Sequence, residues 1–182
     1  SMCGIESAGF EQDEEKMERA VVKDIMLHAY MFTQSGISML YSGDEIGQVN
    51  DYTYKDDPDK APDSRYIHRG KFCWELAENI EKKGSVQEKI FHALTRLEEI
   101  RRNDAVFSVD AEIYTKDYSD TSILWIVRKA AGRELHAVFN FSDEEKEIWM
   151  PEVTEYKNLL TGKTEVIEKT ELQSWDFLWL ER

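Results

Sequence analysis

The chain changes its hydrophobic period once, near residue 107, and that change sets most of what it can fold into. Before it, apolar residues recur at helical spacing; after it, they alternate, as on a strand with one buried face. Met17, Ala20, Val21, Ile25, His28 and Phe32 define a long helix from Asp13 to about Thr33. Asp13, Glu14 and Glu15 stand at the end where the helix dipole favours carboxylates. Ser35-Gly36 stops this helix, and the apolar segment Ile37–Tyr41 follows with almost no loop. A helix feeding a short strand through a tight turn is the αβ half of a βαβ unit. Residues 72–82 are expected to form one short helix. Ser85 with Glu88 three residues on is a capping-box pattern, and Ile90, Leu94, Leu97 and Ile100 or Arg101 carry a helix to about Asn103.

Beyond Phe107 the segments 112–115, 123–127, 135–141, 146–150, 156–160 and 175–180 read as strands. Turn signals at 117–120, Ala131-Gly132, Ser142-Asp143 and Thr161-Gly162-Lys163 separate them. Six to eight short strands at this spacing predict an antiparallel β-sandwich. The fold class is therefore α+β. The expected division is a helical part over 1–106 and an all-β part over 107–182, packed directly on each other because no Gly/Ser linker lies between them.

Charge narrows the partners. Acidic residues outnumber basic ones by 37 to 23, a formal net charge of −14, which repels a nucleic acid or an anionic membrane unless a basic patch intervenes. The longest basic runs, Lys82-Lys83 and Arg101-Arg102, are pairs on solvated helix faces. No apolar run approaches the ~20 residues of a membrane helix, and no basic-then-apolar order marks a secretory signal. A soluble cytoplasmic protein is the expectation. Cys3 and Cys73 fit no metal or redox spacing, and none of the four histidines lies one helical turn from another His or from Cys. No metal and no cofactor are expected. A nucleophile elbow and a phosphate-binding glycine loop are both missing from the sequence.

The chemistry concentrates between Gly43 and Gly70, where the composition turns to Asp, Asn, Tyr, Lys, Pro and Gly without a period. Ordered loops of this length are usually functional. Asp44 and Glu45 invite comparison with a glycosidase carboxylate pair, which stands about 5 to 9 Å apart across a bond. Adjacent residues leaving a strand point to opposite sides, so their role is read as positional, bracketed by Gly43 and Gly47. Asp63, Arg65, His68 and Arg69 form a denser polar cluster, suited to sugar hydroxyls through the guanidinium fork or to a plain surface salt-bridge network. Trp125, Trp149, Trp175 and Trp179 can stack on sugar rings, but in short strands they are read as packing.

Leu40-Tyr41-Ser42-Gly43-Asp44-Glu45-Ile46-Gly47 resembles the end of the last barrel strand in the alpha-amylase superfamily, glycoside hydrolase family thirteen. Asn50-Asp51 and Asp63-Ser64-Arg65-Tyr66-Ile67-His68-Arg69 are similar to motifs of its amylosucrase and sucrose-hydrolase branch, with Tyr66 where that branch more often has Trp. Leu178-Trp179-Leu180-Glu181 resembles the close of the family's terminal β-domain.

The resemblance implies a C-terminal portion of such an enzyme: a helical remnant of the last part of a (β/α)8 barrel, then an antiparallel β-domain. It implies that the Asp nucleophile, the Glu acid/base and the second Asp all precede this segment, so no catalytic residue is assigned within it. A full barrel needs roughly 250 residues. Asp44, Glu45, Asp63, Arg65 and His68 are the implied substrate-pocket residues, with Arg65 at the pocket floor facing an acid outside the chain and Asp63 and His68 holding the loop in shape. Sucrose or an alpha-glucan is the implied partner of the parent. A homo-oligomer is expected through bared barrel surface. The other open readings are a non-catalytic carbohydrate- or protein-binding β-sandwich module and, among enzymes, an alpha-glucosidase or sucrose phosphorylase.

Overall fold

The computed structural model describes residues 2–182, which fall into two compact units. One takes the residues up to Asp24 together with Met39–Ala93; the other takes Ile25–Ser38 together with Leu94–Arg182.

The first unit contains α1 (Ile5–Glu11), the beginnings of α2 (Glu14–Thr33) and α4 (Val86–Asn103), the short α3 (Trp74–Ala77) and a series of 3-10 turns. The Asp13 carboxylate caps α2 by accepting the Lys16 N–H at 2.9 Å, which removes one orphan donor of the first turn. At α4 the Glu88 N–H donates to Ser85 Oγ at 3.0 Å, and the Glu88 carboxylate reaches back to the Gly84 N–H at 3.2 Å. The capping pattern read from the sequence thus forms, with its return bond one residue upstream of the usual place. The unit's core is Ile5, Ala8, Ala20, Val21, Ile46, Tyr54 and Ile90. Gly47 sits against it at φ 60, where a Cβ would lie 2.7 Å from Ile90 Cδ1. Glycine lets the turn close onto that isoleucine. The Cys3 thiol is pushed up to about 12 by burial and by Asp24 beside it, so it stays protonated.

The strand expected over Ile37–Tyr41 does not form. The segment forms no ladder, with Ile37 93% and Met39 78% exposed. A parallel strand takes its hydrogen bonds from neighbouring strands, and the described residues pair none with this one.

In the second unit, β1 (Glu112–Lys116), β2 (Ile123–Ala130), β3 (Arg133–Asn140), β4 (Lys146–Asn158), β5 (Thr164–Leu172) and β6 (Phe177–Glu181) make an antiparallel sheet in the order β1-β2-β3-β6-β4-β5. β6 meets β4 at Lys157 with Glu181 and Asn158 with Leu180 only. There the sheet folds over on itself. His136 of β3 meets Tyr156 of β4 edge-on at 5.7 Å, although those strands are not neighbours. The Tyr118 hydroxyl, between β1 and β2, donates to Glu147 O and accepts the Trp149 N–H, at 3.2 and 3.1 Å. Between the two halves lie Trp125, Val127, Val138 and Leu180 on one side and Ile148, Met150, Tyr156, Ile167 and Leu172 on the other. The antiparallel β-domain expected from the alternation is therefore present, its two layers cut from one sheet.

Two expected strands, 146–150 and 156–160, merge into β4, whose register shifts between Trp149 and Thr154. Pro151 falls in that irregularity, where a missing N–H costs no ladder bond. β5 carries no period in the sequence because only Ile167 and Leu172 on it are buried; it is an edge strand.

The sheet's other face packs on Tyr30 and Phe107. Tyr30 meets Phe139 edge-on at 5.8 Å, and Phe107 lies 4.9 Å from Trp179. Trp179 also donates from Nε1 to Thr33 Oγ1 at 3.1 Å. The end of α2 is gripped by two arginines. Arg128, fully buried, donates to Val106 O, Thr33 O and Ser108 O, and Arg101 donates to Phe32 O, Gln34 O and Gly36 O. A cation at a helix C-terminus is favourable, and here it also satisfies carbonyls left without helical partners. Among the described residues no helix is long and apolar enough to cross a membrane.

Candidate functional site

Gly43 and Gly47, both left-handed at φ 102 and 60, turn the chain sharply around a 3-10 turn at Asp44–Ile46. Within it the adjacent carboxylates fold back on the backbone. Asp44 Oδ2 accepts the Tyr41 N–H at 3.1 Å, and Glu45 Oε2 accepts the Gly43 N–H at 2.8 Å. Gln48 then reaches across to the far end of the loop, donating to Lys71 O at 2.9 Å and accepting the Cys73 N–H at 2.9 Å.

Two further 3-10 turns, Tyr52–Asp56 and Ser64–His68, are each capped by the preceding aspartate. Asp51 Oδ1 accepts from the Thr53 N–H and hydroxyl at 2.9 and 2.6 Å. Asp63 Oδ1 accepts the Arg65 N–H at 3.0 Å, and the Arg65 guanidinium grips the same carboxylate through Nε and Nη2 at 2.8 Å each. Those Arg65 bonds hold the Asp63 carboxyl down at about 2. The two turns are tied by the Asp51 N–H to Ile67 O at 2.8 Å, and a side chain on Gly70 would strike Asp51 Cβ at 2.8 Å. His68 Nδ1 lies 3.0 Å from Asn50 Oδ1, and Asn50 Nδ2 donates to Glu6 Oε2 at 2.8 Å. Arg69 lies over the Tyr66 ring at 5.4 Å.

These segments enclose a cleft of about 290 Å³, whose lining includes Tyr41, Asp44, Gln48, Asn50, Ile67 and His68. Of the site residues expected from the sequence, the structure brings Asp44 and His68 to this cleft. Glu45, Asp63 and Arg65 are not among its lining residues: Glu45 turns to the Gly43 N–H, and Arg65 pairs with Asp63 at the surface. Gln48 lies outside the motifs read from the sequence; Tyr41 and Asn50 lie within them but are not assigned there to the pocket. Asn50-Asp51 was the available signal, since an amide beside a capping aspartate is the kind of pair that fixes a loop. The lining offers hydrogen-bonding groups of both kinds, suited to a hydroxyl-rich ligand. Among the described residues no cluster of His, Cys, Asp and Glu could hold a metal ion.

The tryptophans divide. Trp125 and Trp179 are fully buried, as the packing reading requires. Trp149 is 51% exposed, with Lys169 over its ring and its Nε1 bonded to Glu147 at 2.9 Å.

No protein-family profile matches the chain. Glucosylglycerate phosphorylase of Escherichia coli K12 is 26% identical over 172 residues, which is 92% of this chain and 29% of that enzyme. Trehalulose synthase from Pseudomonas mesoacidophila MX-45 matches with a TM-score of 0.63 at 18% identity, over 88% of this chain and 38% of the other. Trehalose-6-phosphate hydrolase of Bacillus licheniformis gives 0.61 at 17% identity over the same shares. The maltogenic amylase from S. marinus gives 0.61 at 16%, over 88% and 19%. This chain shares its fold with part of each of these solved structures. It spans 29% of the length of the curated relative. Its antiparallel sheet belongs to the fold shared with these structures, and the α+β class read from the sequence stands.

Proposed function

We propose that the chain is part of a retaining enzyme acting on sucrose or an alpha-glucan, of the amylosucrase or sucrose-hydrolase type, and that it is inactive alone because the catalytic carboxylates lie outside it. In this reading the parent cleaves the glucosyl-fructosyl bond through a covalent glucosyl-enzyme and passes glucose to a glucan or to water. The observation that carries it is the meeting in one cleft of Asp44, from the superfamily turn, with Asn50 and His68, from the motifs of the amylosucrase branch. In this reading Asp44 and His68 face the sugar at the cleft, while Glu45, Asp63 and Arg65 join the pocket wall only in the parent, where the exposed Arg65 meets an acid outside the chain. Residues 1–106 belong to the barrel and 107–182 to the domain that covers it. The parent works in the cytoplasm without a cofactor. The exposed Met39 belongs to a surface through which copies associate.

Release of fructose from sucrose by the purified, folded chain at high concentration tests the reading. None is expected, and turnover above a blank would overturn it. A chain extended upstream to include a whole barrel is expected to gain the activity.

The phosphorylase named as a relative favours a second reading, in which glucose passes to inorganic phosphate. The extended chain separates the two: sugar phosphate formed from sucrose and phosphate would favour the second, and fructose release indifferent to phosphate the first.

A further inference from the structure

We infer that Asn50, braced by Glu6, holds His68 in one neutral tautomer and so makes its Nε2 a hydrogen-bond acceptor at the cleft. The ligand class, a hydroxyl-rich sugar, rests on the reading above; the tautomer does not.

The Glu6 carboxylate can only accept, so the Asn50 group 2.8 Å away must be its amide NH2. That orientation turns Oδ1 of Asn50 towards His68 Nδ1, 3.0 Å away. A carbonyl oxygen also only accepts, so the proton in this contact belongs to Nδ1. In the neutral ring the lone pair is then left on Nε2.

The backbone supports the same geometry. The Asp51 N–H to Ile67 O bond fixes the residue after Asn50 against the residue before His68. Glu6 is anchored in α1, whose Ile5 and Ala8 are buried. The relay therefore links a helix, the start of the loop and its third 3-10 turn. Asn50 and Glu6 are positioning residues.

The consequence is selectivity for donors. His68 lines the cleft together with Asp44, whose ionised carboxylate also only accepts. A ligand hydroxyl can donate to both. An anionic group meets a carboxylate and a lone pair, and finds no proton on Nε2 while the ring is neutral.

Nitrogen-15 NMR of the histidine ring in the full chain, above the histidine titration range, reads the tautomer directly. Wild type is expected to show the Nδ1–H pattern at His68, whereas an unconstrained exposed imidazole favours Nε2–H. Asn50→Ala is expected to convert His68 to mainly Nε2–H. Glu6→Gln, whose amide can donate or accept, is expected to give a mixture, and it carries the test if Asn50→Ala does not fold. An Nε2–H pattern in wild type, or Nδ1–H persisting in a folded variant, would overturn the inference. Because no sugar is present, the sucrose assay can fail while the relay stands, and the relay can fail while the fragment reading stands.

Discussion

The loop over residues 43–70 and the β-sheet hold their shapes by different means. The loop is fixed by individual polar groups: the carboxylates of Asp44, Asp51 and Asp63 accept the backbone N–H of Tyr41, Thr53 and Arg65, and the Asn50 side chain meets that of His68. The sheet is fixed by many apolar side chains that share one core, in which Trp125, Val138, Ile148 and Tyr156 are essentially inaccessible. Removing one side chain from the sheet should therefore weaken the whole second unit, while removing one from the loop should loosen only its surroundings.

The largest effect tests the sheet. Trp179→Ala deletes a buried aromatic that packs on Phe107 and Phe177 and donates to Thr33. It is expected to cost about 3 to 5 kcal/mol, seen as a lower midpoint in urea. A midpoint unchanged within error would mean that the packing of this face on Phe107 and Thr33 does not support the unit.

The next effect sharpens the comparison through pH. His136 is buried, and its Nδ1 accepts the Trp125 Nε1–H at 3.1 Å. Its Nε2 lies 3.2 Å from Glu134 Oε1 without an aligned hydrogen bond. Burial above all lowers its pKa from 6.5 to about 4, against the pull of Glu134, with Arg182, Lys116 and Lys129 adding to the lowering. The unfolded chain takes up this proton near 6.5 and the folded chain only near 4. Stability from this group is thus complete above pH 6.5 and falls as the pH drops towards 4, by on the order of 3 kcal/mol in all. Urea midpoints measured across that window should fall, and His136→Gln should flatten the fall. An equally steep decline in the variant would assign it to other groups.

The smallest global effect belongs to the loop. Asp63→Ala removes a cap and the partner of Arg65 on an exposed turn. The urea midpoint should barely move, while amide exchange between residues 64 and 69 should quicken several-fold. Slowed or unchanged exchange there would show that the turn does not depend on its cap.

The same contrast explains what the sequence discloses. Alternation and helical stripes are collective signals, so the helices at 13–33 and 85–103 and most strands are legible from many residues at once. Ile90, Leu94, Leu97 and Ile100 are all buried as their spacing implies. α1 escapes because two turns give too short a period, β5 because an edge strand hides few side chains, and the unity of β4 because Pro151 reads as a break. Ile37–Tyr41 has the composition of a strand, but pairing needs partners that composition does not supply. In the loop, residue types announce polar chemistry without saying which group meets which. Asn50 and Glu6 are 44 residues apart, and nothing periodic links them.

The polar character of β5 has a further consequence. An open sheet presents two unpaired borders, and here they are β1, at Glu112–Lys116, and β5, at Thr164–Leu172. Glu112 and Lys116 mark the ends of one, while Glu165, Glu168, Lys169 and Glu171 stud the other. Such charges discourage strand addition by another chain, and the net charge of −14 reinforces the repulsion between copies. Crowding this protein in solution should not extend its sheet from molecule to molecule, so growth into fibrils is blocked at both ends of the ladder.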